Sequence, residues 1–309
     1  MIQNTFDKSL PSCSALSIEV NEQLFGTAPL TEVWIALEYP SPAGSKALEE
    51  STISDSVKAY LFKIQKSIPA TRLLLIRQET SKPHPGIRAF VGLSSMSPPR
   101  LYEFNLLNYE DLLNLDFASL LSGQTERPEN VRDTPLFLVC TNGKRDPCCA
   151  QWGRPVYMAM SKIGADLVWQ TSHLGGHRFA ANVICLPHGI YYGRIRPEQA
   201  TSLMNDYQNK RFTPQSYRGR AQYSSQVQAA EYYLLANTSL LNVDGFQLQQ
   251  SHQTAPDHWE VTFISRVDGI QYSIEITAIN SAFANYESCN TPEKRSPRLQ
   301  YQLERWSKS

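Results

Sequence analysis

Charge of either sign has no surplus in this chain. Lys+Arg and Asp+Glu both number 29 in 309 residues, which leaves a formal net charge of zero. A protein that grips a phosphate backbone needs a basic field, so no nucleic-acid partner is expected, although 15 Tyr and 12 Phe could stack on bases. Long apolar runs are missing as well. No stretch approaches the about 20 residues that a membrane span requires. Met1 to Ser17 has neither the basic start nor the apolar centre of a secretory leader, so none is expected. Cysteine is scarce: six residues stand at 13, 140, 148, 149, 185 and 289, in no disulfide-framework pattern. These absences predict a soluble, cytoplasmic chain without a membrane partner, in a compartment where thiolates survive as metal ligands. Hydrophobic content of 41% suffices for packed cores, and the length suggests two domains with an extension.

Histidine is equally scarce, which makes its clustering informative. Cys140 and Cys149 frame the run Cys-Thr-Asn-Gly-Lys-Arg-Asp-Pro-Cys-Cys, and His173 and His177 frame His-Leu-Gly-Gly-His. Two soft thiolates and two imidazoles are a donor set that zinc or an iron–sulfur cluster accepts. Gly143 is expected to adopt backbone angles that other residues avoid, and Gly175-Gly176 to turn the chain around a bound group. The plainer alternative is two unrelated glycine-rich turns, with Cys in the core and His at the surface.

Hydropathy patterning reads as one element order met twice. Val33–Leu37 is an apolar strand, Ser54 caps a helix to about Ser67, and Leu73–Ile76 is a second strand. Ile87–Leu93 and Leu101–Leu106 form a pair across Ser97-Pro98-Pro99, and Tyr109–Leu121 reads as a helix. The order then recurs. Leu136–Val139 runs into Cys140, and a helix follows Cys149 with Val156, Met158, Met160 and Ile163 apolar, stopping at Gly164. Leu167–Trp169 precedes the His pair, Val183–Leu186 and Ile190–Gly193 form a hairpin, and Pro197 opens a helix to about Asn209. Strand, helix, strand, hairpin, helix is the order of a thioredoxin core. The expected fold is therefore α/β, two tandem thioredoxin-like units of which the second carries ligands. A small C-terminal β-hairpin, Glu260–Ser265 with Gln271–Thr277, follows. The stretch from Thr291 is polar and reads as a helix or a loose tail. The corresponding division is 1–125, 130–235 and 236–309.

The Cys140-x8-Cys149 run with Arg145-Asp146 inside it, followed by His173-x3-His177-Arg178-Phe179-Ala180-Ala181-Asn182, resembles the sucrase/ferredoxin-like family. The likeness covers roughly residues 12–235 and is strongest from Leu136 to Arg194. It implies a thioredoxin-like ferredoxin domain with a [2Fe–2S] cluster held by Cys140, Cys149, His173 and His177. Both cysteines would bind one iron and both histidines the other. Many relatives carry a His where this chain has Asn142, and some carry a basic residue at Cys148, so Cys148 is not expected to be a ligand. Exchanging two thiolates for neutral imidazoles removes negative charge and favours the reduced state. Rieske centres, with the same donor count, lie at about −150 to +300 mV against about −400 mV for plant-type ferredoxins.

The resulting expectation is a one-electron carrier with no catalytic residue assigned, serving unidentified redox donor and acceptor proteins. Three rivals compete: a structural zinc protein on the same residues, a thiol–disulfide oxidoreductase using Cys148 and Cys149, and a glycoside hydrolase. Arg145-Asp146 either bonds the ligand loop or is a solvated pair, and Arg178 either adds charge near the cluster or is an exposed Arg. Cys185 reads as core. Lys210, Arg211, Arg218 and Arg220 either dock an acidic redox partner or are solvated loop charge. Cys13, Cys289, His84, His188, His252 and His258 have no partner that spacing identifies.

Overall fold

Continuous apolar runs become central strands in the computed structural model, which describes residues 11–79, 84–122 and 128–309. Helix α1 (Cys13–Glu19) is capped by Ser12, whose hydroxyl accepts from the Ala15 N–H. Then come β1 (Val33–Glu38), α2 (Asp55–Ser67), β2 (Thr71–Arg77), β3 (Ile87–Leu93), β4 (Arg100–Leu106) and α3 (Phe117–Ser122). The order continues with β5 (Leu136–Cys140), α4 (Pro147–Ser161), β6 (Val168–Thr171), β7 (Val183–Leu186), β8 (Ile190–Tyr192) and α5 (Ala200–Gln208). After β9 (Tyr217–Arg220) and α6 (Ser225–Thr238), the chain forms β10 (Phe246–Ala255), β11 (His258–Ser265), β12 (Gln271–Tyr286) and β13 (Arg295–Lys308).

The strands make one mixed sheet in the order β4-β3-β1-β2-β6-β5-β7-β8-β9 and a second in the order β10-β11-β12-β13. In the large sheet β1 pairs in parallel with β2 and antiparallel with β3, which pairs antiparallel with β4. β5, β6, β7 and β8 repeat that plan. The two sets meet at a short antiparallel seam, Ile76 opposite Thr171 and Arg77 opposite Gln170. Every residue of β5 is buried, as a strand covered on both faces requires. The second sheet turns Val261, Phe263, Ile274 and Ile276 onto a core shared with α6, Val139 and Tyr192.

Several expectations need correction. The C-terminal hairpin is half of a four-stranded sheet, and the stretch after Thr291 is the strand β13. Its polar composition is compatible with a strand that is exposed over most of its length and buries Arg298 and Tyr301. The expected helix at 109–121 is a 3-10 turn (Tyr109–Asn114) and then α3. The break falls at the extended Leu115, with Asp116 accepting from the Ser119 N–H to start again. Helix α4 begins before Cys149, and Met158 and Ile163 face solvent rather than core. The 125 boundary and residues 1–10 lie outside the described residues, as does most of any leader region. Among the described residues no helix is long and apolar enough to cross a membrane.

Candidate metal centre

Strand β5 delivers Cys140 to its end, where the Cys140 N–H donates to the Asn182 carbonyl at 3.0 Å. The loop 141–146 is held from inside. Asn142 accepts from the Arg145 N–H at 3.2 Å and donates to the Gly44 carbonyl at 2.9 Å, linking it to the loop after β1. Buried Asp146 caps α4 by accepting from the Cys148 N–H at 2.9 Å, and Pro147 takes the first helical position. Cys149 therefore sits in the first turn, where the helix dipole favours a thiolate. One turn on, Gly153 packs against β5 so closely that a Cβ there would lie 1.9 Å from the Cys140 carbonyl oxygen. That contact brings helix and strand thiols side by side. Gly143 is not in the left-handed region; its smallness matters instead, since a Cβ would meet that of Ala150 at 2.7 Å.

The histidine loop leaves β6 clamped to the first half of the sheet. Ser172 donates its N–H to the Leu75 carbonyl and accepts the Leu75 N–H on its hydroxyl, at 2.8 and 3.1 Å. Arg72 reaches the His173 carbonyl at 3.3 Å. The expected tight turn is present, with φ +91° at Gly175 and +72° at Gly176. Behind it the buried Arg218 donates to the Gly175 carbonyl and to the Asn182 side chain, at 3.1 and 2.7 Å. Asn182 in turn donates to the Gly176 carbonyl. The four side chains singled out in the sequence come together. Donor atoms of Cys140, Cys149 and His173 lie within 4.8 Å of one another. The Nδ1 atoms of His173 and His177 each stand 3.8 Å from the Cys149 sulfur, their rings stacked with centroids 4.2 Å apart.

The electrostatics suit a soft cation. A hydrogen bond from Cys149, helped by His173, holds the Cys140 thiol well below its usual range against the cost of burial. The shared proton correspondingly pushes Cys149 up. Burial, then the neighbouring His173 and Arg145 charges, push His177 down to about 3, so its imidazole is neutral at ordinary pH. Two thiols sharing one proton beside a neutral imidazole fit a metal ion or an iron–sulfur cluster, which takes thiolates and unprotonated imidazoles.

Other expectations resolve in detail. Asp146 does bond the loop, while Arg145 contributes its main chain to Asn142 and Asn290. Arg178 is no exposed cation: it pairs with buried Glu22 at 2.6 Å and covers Phe179. Cys185 is core, as read. The docking patch fails, because Arg218 and Arg220 are buried, the latter paired with Glu231 at 3.1 Å. His188 has partners after all, Tyr207 at 2.6 Å and Asp244 at 3.1 Å. The larger omission is a second thiol cluster. Cys13, Cys148 and Cys289 lie 3.4–3.5 Å apart, with Asp146 beside them. Hydrogen bonds from Cys13 and Cys289 favour the thiolate at Cys148. Consecutive helical residues point about 100° apart, so Cys148 and Cys149 serve different clusters. No spacing rule could have joined residues 13, 148 and 289.

A family model described as Sucrase/ferredoxin-like matches residues 24–219. The chain is similar to the "Altered inheritance of mitochondria protein 32" of Clavispora lusitaniae, with 31% identity over 111 residues, 31% of this chain and 40% of that protein. It is 33% identical over 82 residues to the protein of the same name from Debaryomyces hansenii, covering 23% of this chain and 30% of that one. The chain thus matches less than half the length of either relative. Among solved structures, the thioredoxin-like [2Fe–2S] ferredoxin from Aquifex aeolicus is 14% identical over 30% of this chain and 97% of its own, with a TM-score of 0.27. A cysteine-to-serine variant of that ferredoxin is 17% identical over 27% of this chain and 97% of its own, with a TM-score of 0.24.

Proposed function

The chain belongs to the sucrase/ferredoxin-like family, and from that premise we propose that it is a one-electron transfer protein carrying a [2Fe–2S] cluster on Cys140, Cys149, His173 and His177. The observation that carries this reading is the convergence of two thiols and two imidazoles from separate loops onto the start of α4. Bound there, the cluster supplies reversible uptake of a single electron. The protein's own residues do the rest. Asp146 and Gly153 fix the helix against β5 so that both sulfurs face one point, and Arg218 with Asn182 fixes the imidazole loop. The proton shared by Cys140 and Cys149 must leave on loading, so loading weakens in acid.

In this reading residues 1–125 are a thioredoxin-like unit without ligands, 130–235 the ferredoxin unit, and 236–309 an extension. The chain is a carrier rather than a hydrolase, it works in a reducing, cytoplasmic setting, and its donor and acceptor are other proteins. The zinc alternative uses the same four residues. The oxidoreductase alternative is disfavoured by Cys148 and Cys149 facing different partners. Anaerobic purification with iron, sulfide and zinc analysis and a paramagnetic-resonance spectrum tests the proposal. The expected result is two iron and two sulfide per chain with visible absorption. Stoichiometric zinc with neither iron nor sulfide would sink it.

A further inference from the structure

The first turn of α4 has a second chemical face. Cys148 meets Cys13 of α1 at 3.5 Å and Cys289, just past β12, at 3.4 Å, and Cys289 meets Cys13 at 3.5 Å. We propose that Cys13, Cys148 and Cys289, with an oxygen of Asp146, form a second metal site that holds one structural Zn2+ ion.

Geometry is the first argument. A tetrahedral zinc bonded to sulfur at about 2.3 Å sets its thiolates roughly 3.8 Å apart, so this near-equilateral triangle is one face of such a site, slightly drawn in. A disulfide at about 2.05 Å would join one pair and leave the third thiol out, yet no pair here is favoured over the others. The fourth donor is placed too. Donor atoms of Asp146 and the three cysteines all lie within 4.8 Å of one another, and all four residues are buried. The supporting bonds are those of an oriented ligand shell. Asp146 accepts from the Cys148 N–H, the Ser288 hydroxyl and the Cys289 N–H, each at 2.9 Å. The Cys13 N–H donates to the Cys289 sulfur at 3.3 Å, a bond that a thiolate accepts more strongly than a thiol. Ala180, Tyr286 and Leu16 wall the cluster from water. Three thiols and a carboxylate in such a place concentrate acidic groups that a divalent cation neutralises.

Loading is a proton exchange without electron transfer. Zinc takes the three sulfurs as thiolates, and the thiol protons that the cluster still carries leave to solvent. Bound there, the ion pins α1 and the end of β12 to the helix that carries Cys149. It belongs to a closed site of protein ligands, as structural zinc does, distinct from the centre that Cys149 faces about 100° around the same turn.

The full chain, purified anaerobically, is assayed for zinc and iron by mass spectrometry. One zinc per chain is expected beyond any iron, and Cys13→Ser and Cys289→Ser should each lose it while iron and visible absorption persist. Should those variants fail to fold, Co2+ added to metal-depleted wild-type protein decides. A thiolate-to-cobalt band with tetrahedral ligand-field bands at one equivalent beyond the other centre supports the site. Wild-type protein without zinc that gives no such band overturns it, as does zinc kept in both serine variants. A disulfide linking any two of the three cysteines in the native protein overturns it as well. Zinc lost with Cys140→Ser rather than Cys13→Ser also overturns it, because that ion sits at the first centre.

Discussion

The two halves of the large sheet share a strand plan and part company immediately after the first strand of each. Beyond β1 the chain takes a long excursion, residues 39–54, closed by the Thr52 N–H donating to the Tyr39 hydroxyl at 3.1 Å, before α2 begins. Beyond β5 it takes only residues 141–146, so the start of α4 lies against the strand end and Cys149 reaches back to Cys140. The sheet alone therefore does not make the site. A short loop, a capping Asp146 and a glycine small enough for contact make it, and the first half has none of these at the matching place. The first half instead acts as a backstop. Leu75, Arg72 and Gly44 hold Ser172, His173 and Asn142.

Breaking the second half at its sulfurs gives the largest effect. Cys140→Ser and Cys149→Ser should each abolish bound iron and visible absorption, whereas Cys148→Ser keeps both; the reverse pattern for 148 and 149 would shift the ligand position by one residue. Gly153→Ala comes next. Its new methyl must displace the Cys140 carbonyl, at a cost of roughly 1–3 kcal/mol or more, since backbone cannot yield as a side chain does. Thermal melting and iron content should both fall, and an unchanged iron content would show that helix–strand contact does not set the sulfur spacing. A subtler comparison exchanges donors rather than removing them. Replacing His173 or His177 with Cys should lower the midpoint potential, by as much as several hundred mV for both if the cluster still assembles. The wild-type potential should fall as pH rises, and one that stays flat in voltammetry between about pH 6 and 10 would count against the partly exposed His173 as a ligand.

The smallest effect compares the two hairpin turns, which touch where Ser94 donates to the Pro187 carbonyl. The first half's turn has no titratable group among residues 94–99, while the second half's carries His188 between Tyr207 and Asp244. Burial pushes His188 below its ordinary range, so the unfolded chain binds a proton there that the folded chain refuses. Asp244 is pushed down to about 2 by its hydrogen bond to His188, so its contribution is present above its ordinary value and lost as pH falls through about 2. Both signs agree: stability falls on acidification. Melting temperatures at about pH 5 and about pH 7.5 should show that slope, and His188→Gln should flatten it. An unaltered slope would remove His188 from the account.

What was legible followed chain-local chemistry. Buried strands such as Leu136–Val139 announce themselves as apolar runs, and the Cys and His pairs lie in short motifs whose loops bring them together. What was not legible depended on distant pairing. β13 reads as polar because most of its residues face water, and Arg218 reads as a surface cation although Thr27, Gly175 and Asn182 receive its donors in the interior. Cys13 and Cys289 each looked isolated, because their neighbours in space are 276 residues apart in sequence.

That same separation has a consequence for how the molecule is made. Residues 11–23 seat against 285–301: the Tyr286 hydroxyl donates to the Pro11 carbonyl, and Gln23 exchanges hydrogen bonds with the Tyr301 main chain at 2.8 and 2.7 Å. At a synthesis rate of about 5–20 residues per second, Cys13 and Cys148 leave the ribosome many seconds before their third neighbour exists. Residues 11–23 can rest earlier on residues 178–194, through Glu22 with Arg178 and Ser17 with Arg194, but their docking is completed only once residues 285–301 have been translated.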